Sequence, residues 1–336
     1  MDGTEYDVSV VLSTYNRASM LRASLPTVLS QSVPPSRYEV IVVDNNSTDD
    51  TPHVVETCGR GGEHTVRYVR EVRQGLSFAR NAGVAAARAP IVAFTDDDVR
   101  AAPDWVEVIR DTFAARPDVH CLGGRILPRW PSPPPRWLTR AHWVGPLALQ
   151  DYGDEPFVID ARYPRCLAGA NFAFRKELFA LIGGFSPDFP RAQDTELLLR
   201  MYRAGFRSLY VPRMLVEAAV QPDRLTKAYH RRWHSNIGRW NARMQFEELA
   251  DPVMGLRPSV PPLRRAFGVP LFAVRQLGGA LLRWMGHTIA GDEAEAFRHE
   301  NRARALVSYM QQARASSGPR LQANADAPRD HIQSSA

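Results

Sequence analysis

Three consecutive aspartates, Asp96, Asp97 and Asp98, follow the apolar run Pro90 to Phe94 and then Thr95. A buried strand ending there delivers a block of carboxylates to its carboxyl end. In open α/β sheets, ligands bind in the crevice beyond such strand ends. Three like charges side by side are costly unless a cation or a hydrogen-bonding ligand compensates them. With no Cys or His interleaved, oxygen ligands alone suit a hard cation, Mg2+ or Mn2+, rather than zinc. A solvated acidic turn would have the same sequence, so the neighbouring motifs decide.

Four further constellations carry side chains capable of chemistry. Ser13-Thr14-Tyr15-Asn16-Arg17 closes the first apolar run. Hydroxyls, a ring and a guanidinium at a strand-to-helix turn can grip a nucleobase and phosphates, although Thr14 or Asn16 could equally cap the next helix. Asp44-Asn45 ends the second run and can bond a base edge, whereas Asp50-Thr51 reads as a helix cap. Gly75-Leu76-Ser77-Phe78-Ala79-Arg80-Asn81 opens a helix, from which Arg80 can reach a phosphate or simply lie on the surface.

In the second half, Cys166 to Arg175 includes Gly169, Ala170 and Asn171, and Gln193-Asp194-Thr195-Glu196 follows after Gly183-Gly184-Phe185. Asp194 opens a helix with Leu197, Leu198 and Met201 on its inner face. The macrodipole favours the anion there, and an anion can accept a proton; an N-cap aspartate is the competing reading. No GxGxxG or GxxxxGKS occurs, which argues against a dinucleotide site and a P-loop.

These side chains need a frame. Strands are expected over Val8 to Leu12, Glu39 to Val43, Val66 to Val69 and Ile91 to Phe94. Helices are expected from about Met20 to Leu29, from Thr51-Pro52, over Phe78 to Ala87, and from Pro103 to about Ala115. Alternation of this kind predicts an α/β fold with a mostly parallel sheet flanked by helices. A Pro/Trp-rich insert, about 128–160, holds Trp130 and Trp137 and reads as a functional loop or a linker. Beyond it come a helix over Leu178 to Ile182, a helix over Thr195 to Ala204 stopped by Gly205, and a strand over Phe206 to Val211 closed by Pro212. From about Thr226 the chain is helical and basic. The stretch 315–336 has the Ala/Ser/Gln/Pro composition of a disordered tail.

The net charge of +6 is almost wholly arginine, because Lys176 and Lys227 are the only lysines. Arginine favours bidentate contact with phosphate and carboxylate, so anionic partners fit; codon composition would give the same excess. Cys58, Cys121 and Cys166 are odd in number and form no CxxC pair, as expected of reduced core residues in a cytosolic protein. There is no positively charged leader and no spanning apolar stretch. Phe267 to Ile289 comes nearest and is interrupted by Arg275, Arg283 and His287. The wider basic, amphipathic segment 263–289 suits either an anionic membrane surface or packing on the catalytic unit. Arg231-Arg232-Trp233-His234 has no nucleic-acid module around it, so no nucleic-acid partner is expected and the cluster reads better as a surface near the acceptor site.

Taken together, VVLSTYNR, VVDNNSTDDT, GLSFARNAG, FTDDDV, GANFAFRKE and QDTELLLR, in that order, resemble the family 2 glycosyltransferases with a GT-A fold. The resemblance runs from about Val8 to Gly238 and looks closest to bacterial polysaccharide-assembly members. It implies inverting transfer of a sugar from a nucleotide-diphosphate donor to a glycan or lipid-linked acceptor. It also implies a GT-A domain over 1–225, with a nucleotide-binding half of about 1–125 and an acceptor-side half of about 160–225. A helical extension over 226–314 follows.

By this resemblance, Ser13, Thr14, Tyr15, Asn16, Arg17, Asp44 and Asn45 line the nucleoside pocket, and Arg80 and Asn81 lie on the donor side. Asp96 and Asp98 are the DxD carboxylates at ribose and metal (Mg2+ or Mn2+), with Asp97 between them. Asp194 is the catalytic base, and Gly169, Ala170, Asn171 and Gln193 flank donor sugar and acceptor. The implied location is cytoplasmic, at the inner face of the membrane where 263–289 meets it. Oligomeric state is left open.

Two positions depart from the pattern. Gln193 stands where the family usually has glutamate, and Val216 to Val220 lacks a metal-holding histidine, with Glu217 as a stand-in. These departures keep a catalytically degenerate nucleotide- or glycan-binding homologue as an alternative. A haloacid-dehalogenase-like phosphatase also carries a DxD at a strand end. It fits less well, because Arg100 occupies the final position of its motif, where Thr or Val belongs.

Overall fold

The computed structural model describes residues 6–60, 66–251, 255–257, 264–266 and 268–315. Of the tail expected over 315–336, Ala315 ends the last helix and 316–336 lie outside the described residues. The chain runs β1 (Val8–Thr14), α1 (Ala18–Leu29), β2 (Tyr38–Asp44), α2 (Thr51–Gly59), β3 (Val66–Arg70), α3 (Leu76–Ala86) and β4 (Ile91–Asp96). It continues through β5 (Val99–Ala101), α4 (Trp105–Ala115), β6 (Cys121–Arg129), β7 (Phe157–Ile159), β8 (Asn171–Arg175), α5 (Leu178–Ile182), α6 (Gln193–Arg203) and β9 (Ser208–Ala219). The last helices are α7 (Lys227–Met244), α8 (Phe246–Leu249), α9 (Leu271–Ile289) and α10 (Glu293–Ala315).

One nine-stranded sheet organises the molecule, in the order β3-β2-β1-β4-β8-β6-β9-β5, with β7 also on β9. Strands β1, β2, β3, β4, β6 and β9 point one way, while β5, β7 and β8 oppose them. The sheet is therefore mostly parallel, as expected. β1 and β2 are buried along their whole length, and their apolar residues do not alternate with polar ones; the polar exceptions Ser9 and Glu39 bond each other at 2.7 Å. α3 lies so close to β1 that a Cβ on Gly83 would sit 2.3 Å from Val11 Cγ1. Only glycine permits that approach, and it sets Arg80 and Leu76 at the end of the sheet.

Several boundaries differ from the sequence expectation. β9 does not stop at Pro212 but continues to Ala219, with its register against β6 slipping between Gly124 and Arg125. The irregularity absorbs the missing proline N–H, so the strand survives. β6 carries the chain as far as Arg129, inside the start of the proline-rich insert. The helix expected from Thr195 starts at Gln193, which makes Asp194 its second residue rather than its cap; the N-cap is Ala192, in the left-handed region at φ 60°. At α2, Asp49 rather than Asp50 supports the first turn, accepting from Thr51 N at 3.1 Å and from Ala18 N at 2.9 Å. One carboxylate thus serves two helix starts.

The helical extension packs on the insert. Phe297 of α10 meets Trp137 edge-on at 4.8 Å, and Trp137 meets His230 of α7 at 5.1 Å. α7 and α10 cross closely, because a Cβ on Gly238 would lie 2.0 Å from the Ala305 carbonyl oxygen. Among the described residues, no helix is long and apolar enough to cross a membrane.

Candidate active site

The turn after β4 gathers the acidic cluster. Asp96 is the last residue of β4, Asp97 and Asp98 form the turn, and β5 starts at Val99. A cleft of about 890 Å³ opens at this end of the sheet, lined by all three aspartates and by Ser13, Thr14, Tyr15 and Arg17.

The three carboxylates do different work. Asp97 is buried, accepting from Thr14 Oγ1 at 2.8 Å and from Arg17 Nη1 at 3.0 Å. It fastens the turn after β1 to the turn after β4. Burial pushes its carboxyl up to about 6, the Asp98 charge adds to that, and Arg17 and Thr14 oppose it. Asp98 is also shifted up, by burial and by Asp96, with Arg17 and Arg224 opposing. Burial works against the Arg17 charge, but Asp97, Asp98 and Asp96 outweigh it and raise its pKa. Asp96 is more open and faces Arg80 Nη2 at 3.4 Å.

Arg80 is not a surface arginine. It is 2% exposed, packs on the rings of Phe172 and Phe185, and has a buried Nη1 with no hydrogen-bond partner. A buried guanidinium with an unused donor beside a cleft has the chemistry to receive an anion. Gly169 makes room for it, since a Cβ there would sit 2.4 Å from Arg80 Nη2.

Asp194 stands across the cleft in the first turn of α6. Its Oδ1 accepts from Thr195 N at 2.8 Å and its Oδ2 from Gly169 N at 3.3 Å. Gln193 and Ala170 join it in the lining. Behind it, the Cys166 thiol is pushed up to about 12 by burial and by the Asp194 charge, so it stays protonated.

Other expected site residues lie outside the lining and hold the frame. Asp44 is buried, its Oδ1 taken by Ser47 N and its Oδ2 by Tyr68 Oη at 2.6 Å. Asn16, at φ 50°, donates its backbone N–H to Ser47 Oγ and accepts from Thr48 N. Asn81 clamps the backbone of Phe185 through both its amide atoms. Asn171 is fully buried, accepting from Trp105 Nε1 at 2.8 Å and donating to the carbonyls of Arg125 and Met214. Asn45 does reach the cleft, but its side chain also ties down Glu71, Arg73 and Gly75.

Glu217 is exposed, sits on β9 opposite Arg100 of β5, and is absent from the lining, so it does not stand in for the missing histidine. Ala218 and Ala219 line the cleft there instead. Among the described residues, the side chains grouped closely enough to hold a metal are His287, Glu295 and His299, away from the aspartates.

The sequence reading put Arg231 to His234 near the acceptor site but assigned no other residue of α7 to it. Tyr229, Trp233, Asn236 and Trp240 all line the cleft, and Arg224 joins them. Their spacing of four, three and four residues marks one helix face. Arg231, by contrast, pairs with Glu300 of α10 at 2.8 Å. A second cavity of about 1090 Å³ adjoins the cleft and shares Gln193, Asp194, Trp233, Asn236 and Trp240 with it.

The chain is similar to known proteins in sequence and in fold. The chain is 28% identical over 214 residues to a glucosyl-dolichyl phosphate glucuronosyltransferase of Haloferax volcanii, covering 60% of this chain and 66% of that protein. It is 31% identical over 224 residues to validoxylamine A glucosyltransferase of Streptomyces hygroscopicus subsp. limoneus, covering 59% and 48%. The chain thus spans from about half to just under two thirds of the length of these relatives. Among solved structures, the mannosyltransferase PcManGT from Pyrobaculum calidifontis, in complex with GDP-Man and Mn2+, superposes with a TM-score of 0.55 at 22% identity, over 94% of this chain and 76% of that one. S. aureus TarS superposes with a TM-score of 0.53 at 16% identity, over 92% and 55%. The architecture is of the GT-A type. The model of glycosyl transferase family 2 matches residues 9–183, the segment holding the acidic turn, Arg80 and Gly169, and this chain belongs to that family.

Proposed function

We propose that this protein is an inverting glycosyltransferase that moves a sugar from a nucleotide-diphosphate donor to a glycan or lipid-linked acceptor. The observation that carries the reading is the position of Asp194, the one carboxylate among the described residues to line both cavities. In this reading the donor occupies the cleft and the acceptor enters from the second cavity. Asp194 takes the proton of the acceptor hydroxyl as its oxygen attacks the anomeric carbon. The bond to the nucleoside diphosphate breaks on the opposite face, and the configuration inverts. General-base help of this kind is worth ~10²–10⁴-fold.

Tyr15, exposed at the cleft mouth, offers a ring to the base, while Arg17 and the unused donor of Arg80 favour phosphate oxygens. Asp96 and Asp98 would hold a hard divalent ion, Mg2+ or Mn2+, because both offer carboxylate oxygens at the turn after β4. The upward shift of Asp98, caused by burial and by Asp96, is the strain that a cation would relieve. Bound there, such an ion supplies positive charge to the leaving group.

The membrane part of the reading rests on α9, where Leu271, Val274, Leu281, Leu282, Met285 and Ile289 are exposed near Arg275 and Arg283. That combination suits the anionic inner face of a membrane. Flotation of the protein with anionic but not neutral vesicles is expected, and loss of flotation in Leu282→Glu/Met285→Glu checks it.

Release of nucleotide from UDP-, GDP- and dTDP-sugars, with Mn2+, Mg2+ or EDTA, tests the central reading. Metal-dependent release from one donor, lost in Asp194→Asn and Asp98→Ala, is the expected result. Tight binding without turnover, even with acceptor glycans supplied, would favour the degenerate alternative.

A further inference from the structure

The corner between α9 and α10 gathers side chains that the proposed transfer does not use. Gly291, at φ 74°, lets α9 end in a left-handed turn. Its N–H donates to the Thr288 carbonyl at 3.2 Å, and the Asp292 N–H donates to the His287 carbonyl at 3.0 Å. The Asp292 carboxylate then starts α10, its Oδ1 accepting from Glu295 N at 3.1 Å. One short turn therefore fixes His287, Asp292 and Glu295 relative to one another. His299 follows Glu295 by four residues, on the same face of α10.

The turn brings His287, Glu295 and His299 together, with one ligand atom from each lying within 4.8 Å of the others. The two imidazoles stack at 23°, their centroids 5.4 Å apart. His299 is 8% exposed, and among the described residues its ring nitrogens make no hydrogen bond. Its Nε2 faces Glu295 Oε2 at 3.9 Å, beyond hydrogen-bond reach. A buried polar ring without a partner is uncommon and points to a ligand. Arg298 places both of its bonds on Glu295 Oε2, which leaves Oε1 to coordinate. At His287, Nδ1 faces Asp292 Oδ2 at 3.5 Å. A carboxylate on that side keeps the proton at Nδ1 and frees the Nε2 lone pair for a metal.

Two imidazoles and one carboxylate are a donor set for zinc, unlike the all-oxygen set of the aspartate turn. With bonds of about 2.0–2.1 Å, the ligand atoms of a tetrahedral zinc site lie about 3.3 Å apart, so the corner has only about an ångström or so to close. The charges beside the two histidines, Arg283 and Arg298 against Asp292 and Glu295, balance before an ion arrives. We infer that His287, Glu295 and His299 form a zinc site that clamps the end of α9 to the first turns of α10, with water completing the coordination. His287 and His299 line the second cavity, which gives the ion its entry path. The same clamp holds the exposed apolar residues Leu282, Met285 and Ile289 of α9 in place.

Untagged full-length protein, stripped with EDTA and titrated with Zn2+ against a chromogenic chelator in excess Mg2+, tests the assignment. One equivalent is expected to bind, and Co2+ in its place is expected to give the strong visible absorption of a tetrahedral site. His287→Ala, at a half-buried position, and Glu295→Gln are each expected to weaken Zn2+ binding at least about tenfold and to abolish the Co2+ bands. Asp98→Ala, in the acidic turn, is expected to leave Zn2+ binding unchanged. Absence of stoichiometric Zn2+ binding would overturn the site, as would unchanged affinity in both corner variants. Loss of Zn2+ binding in Asp98→Ala would overturn it too, by assigning the ion to the aspartates.

Discussion

The backbone N–H of Gly169 donates to Oδ2 of Asp194 at 3.3 Å, while the space where Gly169 would carry a side chain is filled by the guanidinium of Arg80. One residue therefore joins the proposed base to the proposed phosphate arginine. A helix start alone would leave the Asp194 carboxylate free to rotate. The contacts from Gly169 and Thr195 fix which oxygen faces which neighbour.

Asp194→Asn keeps the size of this side chain and removes its ability to take a proton. Transfer is expected to fall ~10²–10⁴-fold, with donor affinity within about threefold of wild type. Steady-state rates combined with a donor binding titration check the split.

Gly169→Ala drives a methyl group into Arg80. Because Arg80 is itself wedged between Phe172 and Phe185, it has little room to retreat. Overpacking of this kind costs about 1–3 kcal/mol. Weaker donor binding together with a lower urea midpoint is expected, and the two are read on the same preparation.

Asn171 reads as a site residue in the sequence and is a framework residue in the structure. Asn171→Ala removes the side-chain hydrogen bonds to the carbonyls of Arg125 and Met214 and to the indole N–H of Trp105. Each buried orphan costs about 1–3 kcal/mol. Urea denaturation is expected to show a large loss of stability, with donor affinity of the folded fraction retained.

His230 gives the fold a dependence on pH. Burial lowers its pKa to about 4, and it packs against Trp137 with its Nε2 near the Arg224 carbonyl oxygen at 3.1 Å. Between about 4 and 6.5 the unfolded chain binds a proton here and the folded chain does not. The stabilisation from neutral His230 is therefore complete above about 6.5 and is lost as pH falls towards 4. Melting temperature is expected to fall over that window, and less steeply in His230→Phe.

The sequence by itself determined the parts of this protein that depend on local chemistry. Apolar runs such as Val10 to Leu12 and Ile91 to Phe94 became parts of β1 and β4, because strands buried on both faces need no alternation. The acidic turn sits where its strand ends, and the order of the motifs marked the family. Direction, burial and distance were decided only by the tertiary structure. Asp44 and Asn171 are as polar as Asp96 and Asp194, yet packing turns the first two into the frame and the last two towards the cavities. Pro212 would end an isolated strand, but an irregularity against β6 lets β9 continue. The arginines of α10 lie about a hundred positions from Asp194, yet they line its cavity, with Gly238 letting α10 close onto α7. Spacing along the chain reports which side chains share an element; only packing reports which elements share a cavity.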